Sequence, residues 1–177
     1  MSTGMATSNK YVVAVDVGVK NMAVCIFDLT LGKVIQWHVG SLVPDGKRYL
    51  PMLNVQYVRN WISTWKEYFD NALAVLVERQ MRCNMRIIES LIHSEYYDKC
   101  YIVCARSIKM HYGLSMRNYR QNKNKAIEWA SDFIAKNPQV FEPTPTEMFR
   151  TSIKRDDYAD SLLLVMYYLD TFSRQAQ

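Results

Sequence analysis

The sequence predicts an α/β protein with one mixed five-stranded sheet covered by helices on both faces. Three strand-like segments follow one another at the start of the chain, and helix-like segments then alternate with two further strand-like segments. Consecutive strands joined by short turns usually pair antiparallel, whereas strands joined through a helix usually run parallel. Because no repeat and no long linker interrupts this pattern, we expect a flexible tail over residues 1–10 and a single domain over residues 11–177.

The first three strands form a predicted meander. Residues 11–19 are apolar and rich in valine, which is typical of a strand buried on both faces. A tight turn at residues 18–21 leads to a second strand over residues 22–29. A turn at Gly32 leads to a third strand over residues 34–43.

Two βα units are predicted to follow the meander. Residues 51–69 place apolar side chains at helical spacing, so we expect one amphipathic helix there. Residues 72–78 form the fourth predicted strand, which ends on a glutamate. A helix over residues 84–97 then leads to a fifth strand over residues 100–105.

The last third of the chain is predicted to be helical. A helix is expected over residues 120–136, and a strongly apolar one over residues 159–172, preceded by the Lys-Arg-Asp-Asp segment 154–157. Residues 137–146 contain three prolines and are predicted to form a loop. Residues 106–119 show no clear pattern.

Composition narrows the class of protein. Of 177 residues, 49% are hydrophobic and 22% are charged, which provides for a core and argues against wholesale disorder. Neither GxxxxGK[ST] nor GxGxxG occurs, so no nucleotide cofactor is expected. The first ten residues lack a signal-like apolar region, and no apolar run reaches the roughly 18 residues that span a bilayer. We therefore expect a soluble, intracellular protein without membrane contact.

The cysteines do not predict a metal module. Cys100 and Cys104 have the spacing of neither half of a common zinc site, and the chain has only three histidines. Both are predicted to be buried small hydrophobic residues, with reduced thiols.

Asp16 is the most informative charged residue. It stands inside the valine-rich first strand, where an unpaired carboxylate costs several kcal/mol. It therefore needs a cation, a hydrogen-bond network or a metal ion. Gly18 shares its face of the predicted strand and would leave that face open to a substrate backbone.

Three further acids are predicted to join Asp16. Glu78 ends the fourth strand, and site residues gather at the ends of central strands in α/β sheets. If the first and fourth strands are neighbours, Asp16 and Glu78 lie side by side. Asp157 and Asp160 are three residues apart, so on a helix they share one face, which Leu164 continues into the core.

Four converging carboxylates predict hard divalent cations. Without cations they would repel one another and resist ionisation. Two ions about 3.5–4 Å apart activate water and stabilise the leaving oxygen in phosphodiester cleavage. Taken singly, the acids other than Asp16 also have structural interpretations: Asp157 could be a helix N-cap or first-turn residue, and Glu78 could pair with Arg79 or Arg82.

Three ordered motifs resemble a known family. Residues 13–24, 75–84 and 156–164 are similar to motifs of the poxvirus Holliday junction resolvases and, more distantly, of the bacterial RuvC and fungal mitochondrial resolvases. All belong to the RNase H-like nuclease superfamily. The resemblance runs from about Tyr11 to Phe172, although Met22 stands where the family has proline and Cys83 replaces a basic residue.

The resemblance implies specific chemistry. It implies that Asp16, Glu78, Asp157 and Asp160 are the catalytic, metal-binding acids. The implied cofactor is Mg²⁺, with Mn²⁺ as a substitute and two ions per site. The implied assembly is a homodimer that makes paired, symmetric nicks across a four-way DNA junction.

A basic stretch supports a nucleic-acid partner. The net charge is +5, and no acid occurs between Asp98 and Glu128. Basic residues there would neutralise phosphates, although a solvated basic face is the ordinary alternative. Lys123 is predicted to stabilise developing charge on the phosphate. The predicted DNA contacts are Lys20, Arg79, Arg82, Arg86, Arg117, Arg120, Lys123 and Lys125.

Three functions therefore compete. The first is a junction-resolving endonuclease. The poxvirus resemblance would place it in viral DNA replication or concatemer processing, in the cytoplasm of the infected host cell. The second is another RNase H-like nuclease, for example one that cuts RNA–DNA hybrids. The third is a non-catalytic nucleic-acid binding module of the same fold.

Overall fold

The computed structural model describes residues 9–115 and 118–172. It contains one five-stranded sheet in the order β3-β2-β1-β4-β5. The predicted 1–10 tail lies outside the described residues except for its last two positions. Lys10 already extends the pairing of the central strand, since its carbonyl accepts a hydrogen bond from the backbone N–H of Leu29. The strands are β1 (Tyr11–Asp16), β2 (Met22–Asp28), β3 (Lys33–Gly40), β4 (Ala72–Glu78) and β5 (Cys100–Val103).

The predicted mixed sheet is confirmed. β1 pairs antiparallel with β2, and β2 with β3, which gives the meander. β1 pairs parallel with β4, and β4 with β5, through helical crossovers. β1 is therefore the central strand, and β1 and β4 end at the same edge of the sheet.

Seven α-helices occur within the described ranges, and they cover both faces of the sheet. A 3₁₀ turn, Pro51–Leu53, precedes the first of them, and a second, Pro138–Val140, lies between the fifth and sixth. The helices are α1 (Asn54–Thr64), α2 (Lys66–Asp70), α3 (Cys83–Glu95), α4 (Ala105–His111), α5 (Tyr119–Lys136), α6 (Pro143–Thr151) and α7 (Arg155–Thr171).

Two hydrophobic clusters lie on opposite faces of the sheet. Val13 and Val15 of β1 pack with α1, α2 and α3, whereas Val12 and Ala14 pack with α5, α6 and α7. This alternation follows from the period of two along a strand. The expectation that the first strand is buried on both faces is confirmed.

Two helix predictions and one loop prediction were wrong in their boundaries. The single helix expected over residues 51–69 is interrupted at Trp65, which leaves helical geometry, although Phe69 beyond the break remains fully buried. The loop expected over residues 137–146 contains the start of α6, because proline fits the first turn of a helix. The last helix begins at Arg155 rather than 159, because its first turn is polar and acidic.

The strands are shorter than predicted and the unassigned region is partly helical. β1 ends at Asp16 and β5 at Val103, so the carboxylate of Asp16 lies at a strand end rather than in mid-strand. Residues 105–111 form α4. Leu114 after it is buried, which explains how a stretch without clear periodicity can still be packed.

The cysteine prediction was half right. Cys100 is buried, but Cys104 is exposed because it follows the last residue of β5 and stands at the start of α4. All four cysteines are free thiols. Among the described residues, no helix combines the length and the apolar character that crossing a membrane requires.

Candidate active site

Asp16 and Glu78 are neighbours at one edge of the sheet. Each is the last residue of its strand, and the parallel register pairs Val15 with Val77 immediately before them. The predicted adjacency of the first and fourth strands is therefore confirmed. The carboxyl ends of parallel strands are where α/β sheets collect functional side chains.

The N-terminal part of α7 brings two more acids to the same edge. Asp157 and Asp160 lie in its first two turns, and the buried Leu164 continues their face toward the sheet. Trp37 of β3 fixes this end of the helix: its indole N–H donates to the Tyr158 carbonyl at 2.9 Å and to the Ser161 hydroxyl at 3.1 Å. The four predicted acids thus converge from two strands and one helix.

The four carboxylates repel one another. Burial, and then the charges of Glu78, Asp160 and Asp157, raise the pKa of Asp16 well above its usual range. Burial and the charge of Asp160 raise the pKa of Glu78 to about 7. Burial and neighbouring aspartates raise the pKa of Asp157 to about 6. This mutual opposition to ionisation is what the sequence predicted for the quartet.

Two lysines oppose that repulsion. The ammonium of Lys109 lies 3.6 Å from the carboxylate of Asp160, and both side chains are mostly buried, with exposed fractions of 17% and 11%. Lys123 forms an ion pair with Asp156. Although burial raises the pKa of Asp156, the hydrogen bond and charge of Lys123 bring it below its usual value. Burial also raises the pKa of Asp160, and both lysines act against that shift.

The residues fit a hard divalent cation by chemistry. All four acids offer carboxylate oxygens, which Mg²⁺ and Mn²⁺ prefer. One oxygen of Asp157, Oδ2, is buried without a hydrogen-bond partner, which is costly unless a cation satisfies it. Within residues 9–115 and 118–172, no three His, Cys, Asp or Glu side chains are drawn together tightly enough to form a ready-made metal site.

A cavity of about 610 Å³ opens beside the acids. Its wall combines the carboxylates with cationic and amide side chains, so it can hold a phosphate group next to the acids. Met81 and Met85 give it an apolar side. The polar side chains that line it are Asp16, Lys20, Asn21, Glu78, Arg79, Gln80, Arg82, Lys109, Lys123, Asp157 and Asp160.

The predicted DNA contacts divide into two groups. Lys20, Arg79, Arg82 and Lys123 line the cavity. Arg86, Arg120 and Lys125 are exposed and do not line the cavity. Lys125, for example, pairs with Glu128 on its own helix at 3.3 Å. Arg117 lies outside the described residues.

Several local expectations need correction. Gly18 lines the cavity beside Asp16, but openness is not the reason for the glycine: a Cβ there would lie 2.4 Å from the Asn21 carbonyl oxygen, so the turn itself requires it. Asp157 is not the N-cap of α7, which is Lys154. In the described part of the chain Glu78 forms no ion pair with Arg79 or Arg82.

Sequence reasoning missed Lys109 and Glu89. Lys109 was one of several lysines in a stretch without assignment, and nothing in its spacing distinguished it. Glu89 is only 8% exposed and accepts a hydrogen bond from the backbone N–H of Gln80 at 2.6 Å. The Gln80 side chain in turn donates to the Glu78 carbonyl at 3.1 Å, so this network holds the turn after the fourth strand. Glu89 could have been recognised from the sequence, because it lies on the apolar side of its predicted helix, where an acid needs a partner.

Solved structures that share this fold include two Holliday junction resolvases and a RuvC bound to a Holliday junction substrate. The yeast mitochondrial Holliday junction resolvase Ydc2 superimposes with a TM-score of 0.68 at 17% identity, over 98% of this chain and 89% of that one. The fowlpox virus resolvase, in complex with its substrate Holliday junction DNA, gives 0.67 at 20% identity over 91% and 97%. Thermus thermophilus RuvC gives 0.50 at 9% identity over 93% and 97%. These likenesses confirm the predicted RNase H-like fold class.

Two comparisons of the sequence gave different results. No curated protein matches the chain. A family model, however, matches residues 10–171, which include all three motifs and the four acids. The match confirms the poxvirus resemblance inferred from the motifs, and the chain belongs to the family described as Poxvirus A22 protein.

Proposed function

We propose that this chain is a metal-dependent endonuclease that resolves four-way DNA junctions by paired phosphodiester cleavage. The observation that carries the proposal is the convergence of Asp16, Glu78, Asp157 and Asp160 on one cavity that is also lined by five lysine and arginine side chains. Membership of a poxvirus family and a fold shared with Holliday junction resolvases support four-way junctions as the substrate.

The four acids are the proposed ligands of two Mg²⁺ ions, for which Mn²⁺ can substitute. When bound, such ions activate water and stabilise the leaving oxygen of a phosphodiester. The protein's part is to hold four carboxylates on rigid elements at one strand edge. The buried, unpartnered oxygen of Asp157 supports a cation at this place.

The basic residues have separate proposed roles. Lys20, Arg79 and Arg82 line the cavity and would neutralise phosphates on either side of the scissile bond. Lys123 keeps a positive charge at the cavity wall, where negative charge develops during cleavage. Arg86, Arg117, Arg120 and Lys125 remain proposed DNA contacts as well.

Each site of this kind cuts one strand, so resolution needs two. We therefore propose that the single domain over residues 11–177 acts as a homodimer. A poxvirus enzyme of this type would act on viral DNA, in the cytoplasm of the infected cell. Replication and the processing of joined genomes are the proposed context.

The test is cleavage of labelled four-way junctions with Mg²⁺ and with EDTA. We expect paired, symmetric cuts with Mg²⁺ alone, and no cuts by Asp16→Asn, which should still bind junctions. The matched control is Asp132→Asn, which removes an exposed acid of α5 outside the cavity and should cut normally. Preferential cleavage of an RNA–DNA hybrid would favour the second function. Unchanged cleavage by Asp16→Asn would exclude metal catalysis at this site.

A further inference from the structure

The connection between α6 and α7 carries an exposed isoleucine at its turn. Ile153 is 95% exposed, which is the largest exposed fraction among the large hydrophobic side chains of the described residues. A single apolar side chain on a surface is ordinary. The neighbours of Ile153 distinguish it, because three of the other five residues in the segment 150–155 are basic.

We call residues 150–155 the basic segment. Its cations are Arg150, Lys154 and Arg155, which are exposed and form no ion pair within the described residues. Cations around an apolar tip fit a partner that presents both negative charge and apolar surface. Nucleic acid is such a partner, because its phosphates attract cations and its base faces stack on apolar side chains.

Hydrogen bonds at both ends fix the turn that presents Ile153. The hydroxyl of Ser152 accepts a hydrogen bond from the backbone N–H of Lys154 at 2.9 Å. The backbone N–H of Ser152 donates to the carbonyl of Met148 in α6 at 3.2 Å, and the N–H of Asp157 in α7 donates to the Lys154 carbonyl at 3.2 Å. Because the turn is connected to both helices, the isoleucine projects in a defined direction, which lowers the entropic cost of inserting it into a partner.

The basic segment leads directly into the helix that carries two of the proposed metal ligands. Ile153 and Asp157 are four residues apart, so their Cα atoms are at most about 14 Å apart. Base pairs in a duplex are about 3.4 Å apart along the axis. A strand whose phosphate lies at the acids therefore passes the isoleucine within roughly four base-pair steps of that phosphate.

Two of the cations share a small cavity beside the turn. Arg150 and Arg155 line a cavity of about 140 Å³ together with Ser131 of α5. Guanidinium groups bind phosphate oxygens in a bidentate geometry. Ser131 follows Lys123 by eight residues on the same helix, which is about 12 Å along the helix axis. The cavity can therefore take a phosphate three or four steps along the strand from a phosphate at Lys123.

Branched DNA offers an apolar side chain a place that linear DNA does not. Insertion into a duplex must first separate two stacked base pairs, and this costs free energy. The base pairs around the branch point of an open four-way junction already have one face without a stacked neighbour. An isoleucine that projects between cations therefore favours a branch point over a continuous duplex.

We propose that Ile153 inserts at the branch point of a four-way DNA junction, while Arg150, Lys154 and Arg155 bind the flanking phosphates. The inference rests on the proposed function and adds to it a means of selecting the substrate. The four acids account for cleavage of a phosphodiester. The basic segment accounts for the choice of branched over linear DNA.

The experiment measures binding in EDTA, which prevents cleavage, to a labelled four-way junction and to a linear duplex made from the same arms. Ile153→Ser should bind the junction about tenfold more weakly and the duplex unchanged, whereas Ile153→Leu should retain most of the affinity. The matched control is Leu31→Ser, which should change neither. Leu31 is 61% exposed in the turn after β2, at the opposite edge of the sheet from Asp16. Thermal melts establish that each variant is folded.

Two further measurements separate insertion from phosphate binding. The fluorescence of 2-aminopurine at the branch point depends on stacking, so saturating wild type should change it and saturating Ile153→Ser should not. Arg150→Ala and Arg155→Ala should instead weaken binding to both DNAs. Each should reduce the slope of log affinity against log salt by about one.

Four results would overturn the proposal. They are an Ile153→Ser variant with wild-type affinity for the junction, an equal loss of affinity for junction and duplex, and a wild type that binds both DNAs equally. The fourth is a loss of binding to phosphatidylserine vesicles by Ile153→Ser without any loss of junction binding, which would assign the segment to a membrane surface.

Cleavage with Mg²⁺, measured separately, keeps the two proposals distinguishable. If the wild type cuts junctions and Ile153→Ser binds them as the wild type does, only the insertion of Ile153 is excluded. If the preference for junctions depends on Ile153 but no junction is cut, only the proposed nuclease activity fails.

Discussion

Asp16 and Glu78 stand at the ends of sheet strands, whereas Asp157 and Asp160 project from the first turns of a helix. Burial is the largest influence on the pKa of all four acids and raises it. In the strand pair no ion pair within the described residues offsets burial, although the charges of Lys109 and Lys123 lower the pKa of Glu78. The helix pair lies at the positive end of the α7 dipole, and Asp160 has Lys109 at 3.6 Å. The same site thus contains a strand pair without an ion pair and a helix pair that the helix dipole and the Lys109–Asp160 ion pair partly neutralise.

Because of this difference, we expect substitutions at the two pairs to have different effects on cleavage and on stability. The strand acids are fixed by the sheet and respond to charge, so removing one charge should change chemistry more than folding. The helix acids depend on their lysines, so removing a lysine should change folding and metal affinity together. Four experiments separate these effects.

The largest expected effect comes from Asp16→Asn. Cleavage of a four-way junction with Mg²⁺ should fall by about a thousandfold or more, roughly 4 kcal/mol of barrier. Without divalent ions the variant should melt at the same temperature as the wild type or higher, because a repelled carboxylate has been neutralised. Cleavage rates and thermal melts in EDTA measure both, and a strong loss of stability would contradict the assignment of Asp16 to chemistry.

The second effect concerns the network that holds the Glu78 end of the strand pair. Glu89→Leu removes the acceptor for the Gln80 backbone N–H and should cost about 1–3 kcal/mol of stability. Junction cleavage should fall about tenfold, because the turn after Glu78 loosens. Glu89→Gln keeps an acceptor oxygen and should retain most of both. If the glutamine variant were as impaired as the leucine variant, the charge rather than the hydrogen bond would matter.

The third effect concerns Lys109 and the helix pair. Lys109→Met should lower the melting temperature in EDTA by several degrees, since Asp160 loses its cation. Added Mg²⁺ should then raise the melting temperature more than in the wild type, because the acids depend more fully on it. Lys47→Met, at an exposed position outside the cavity, is the control. An equal Mg²⁺ response in both variants would show that Lys109 does not compensate the acids.

Sequence reasoning recovered the strand pair and the helix acids for different physical reasons. Asp16 was recognisable because an unpaired carboxylate in a buried, valine-rich segment is energetically costly. Asp157 and Asp160 were recognisable from their spacing ahead of an apolar helix. Lys109 was not, because α4 has only seven residues and a lysine on a short helix resembles any surface lysine.

The elements of the fold also differed in how far the sequence could predict them. The meander and the βα units were predictable because strand pairing follows from short turns and helical crossovers. The break at Trp65 was not predictable, because the apolar spacing continues to the buried Phe69 beyond it. The start of α6 was missed because proline, which usually marks a loop, also fits the first turn of a helix. Gly18 showed the opposite error: its neighbour in space, the Asn21 carbonyl, determines its role, and no strand pattern contains that contact.

The smallest effect is a pH dependence of stability in EDTA. The pKa of Glu78 is raised from 4.5 to about 7 and that of Asp157 from 3.8 to about 6. The native protein therefore holds protons that the unfolded chain has already released, so stability is greatest below the ordinary pKa values and falls as pH rises toward 7. The melting temperature should drop by a few degrees between about pH 4.5 and pH 7 and level off above. Glu78→Gln should flatten the upper part of this curve and leave the Asp157 part. A melting temperature that rises over this interval would mean that the protein already compensates these acids.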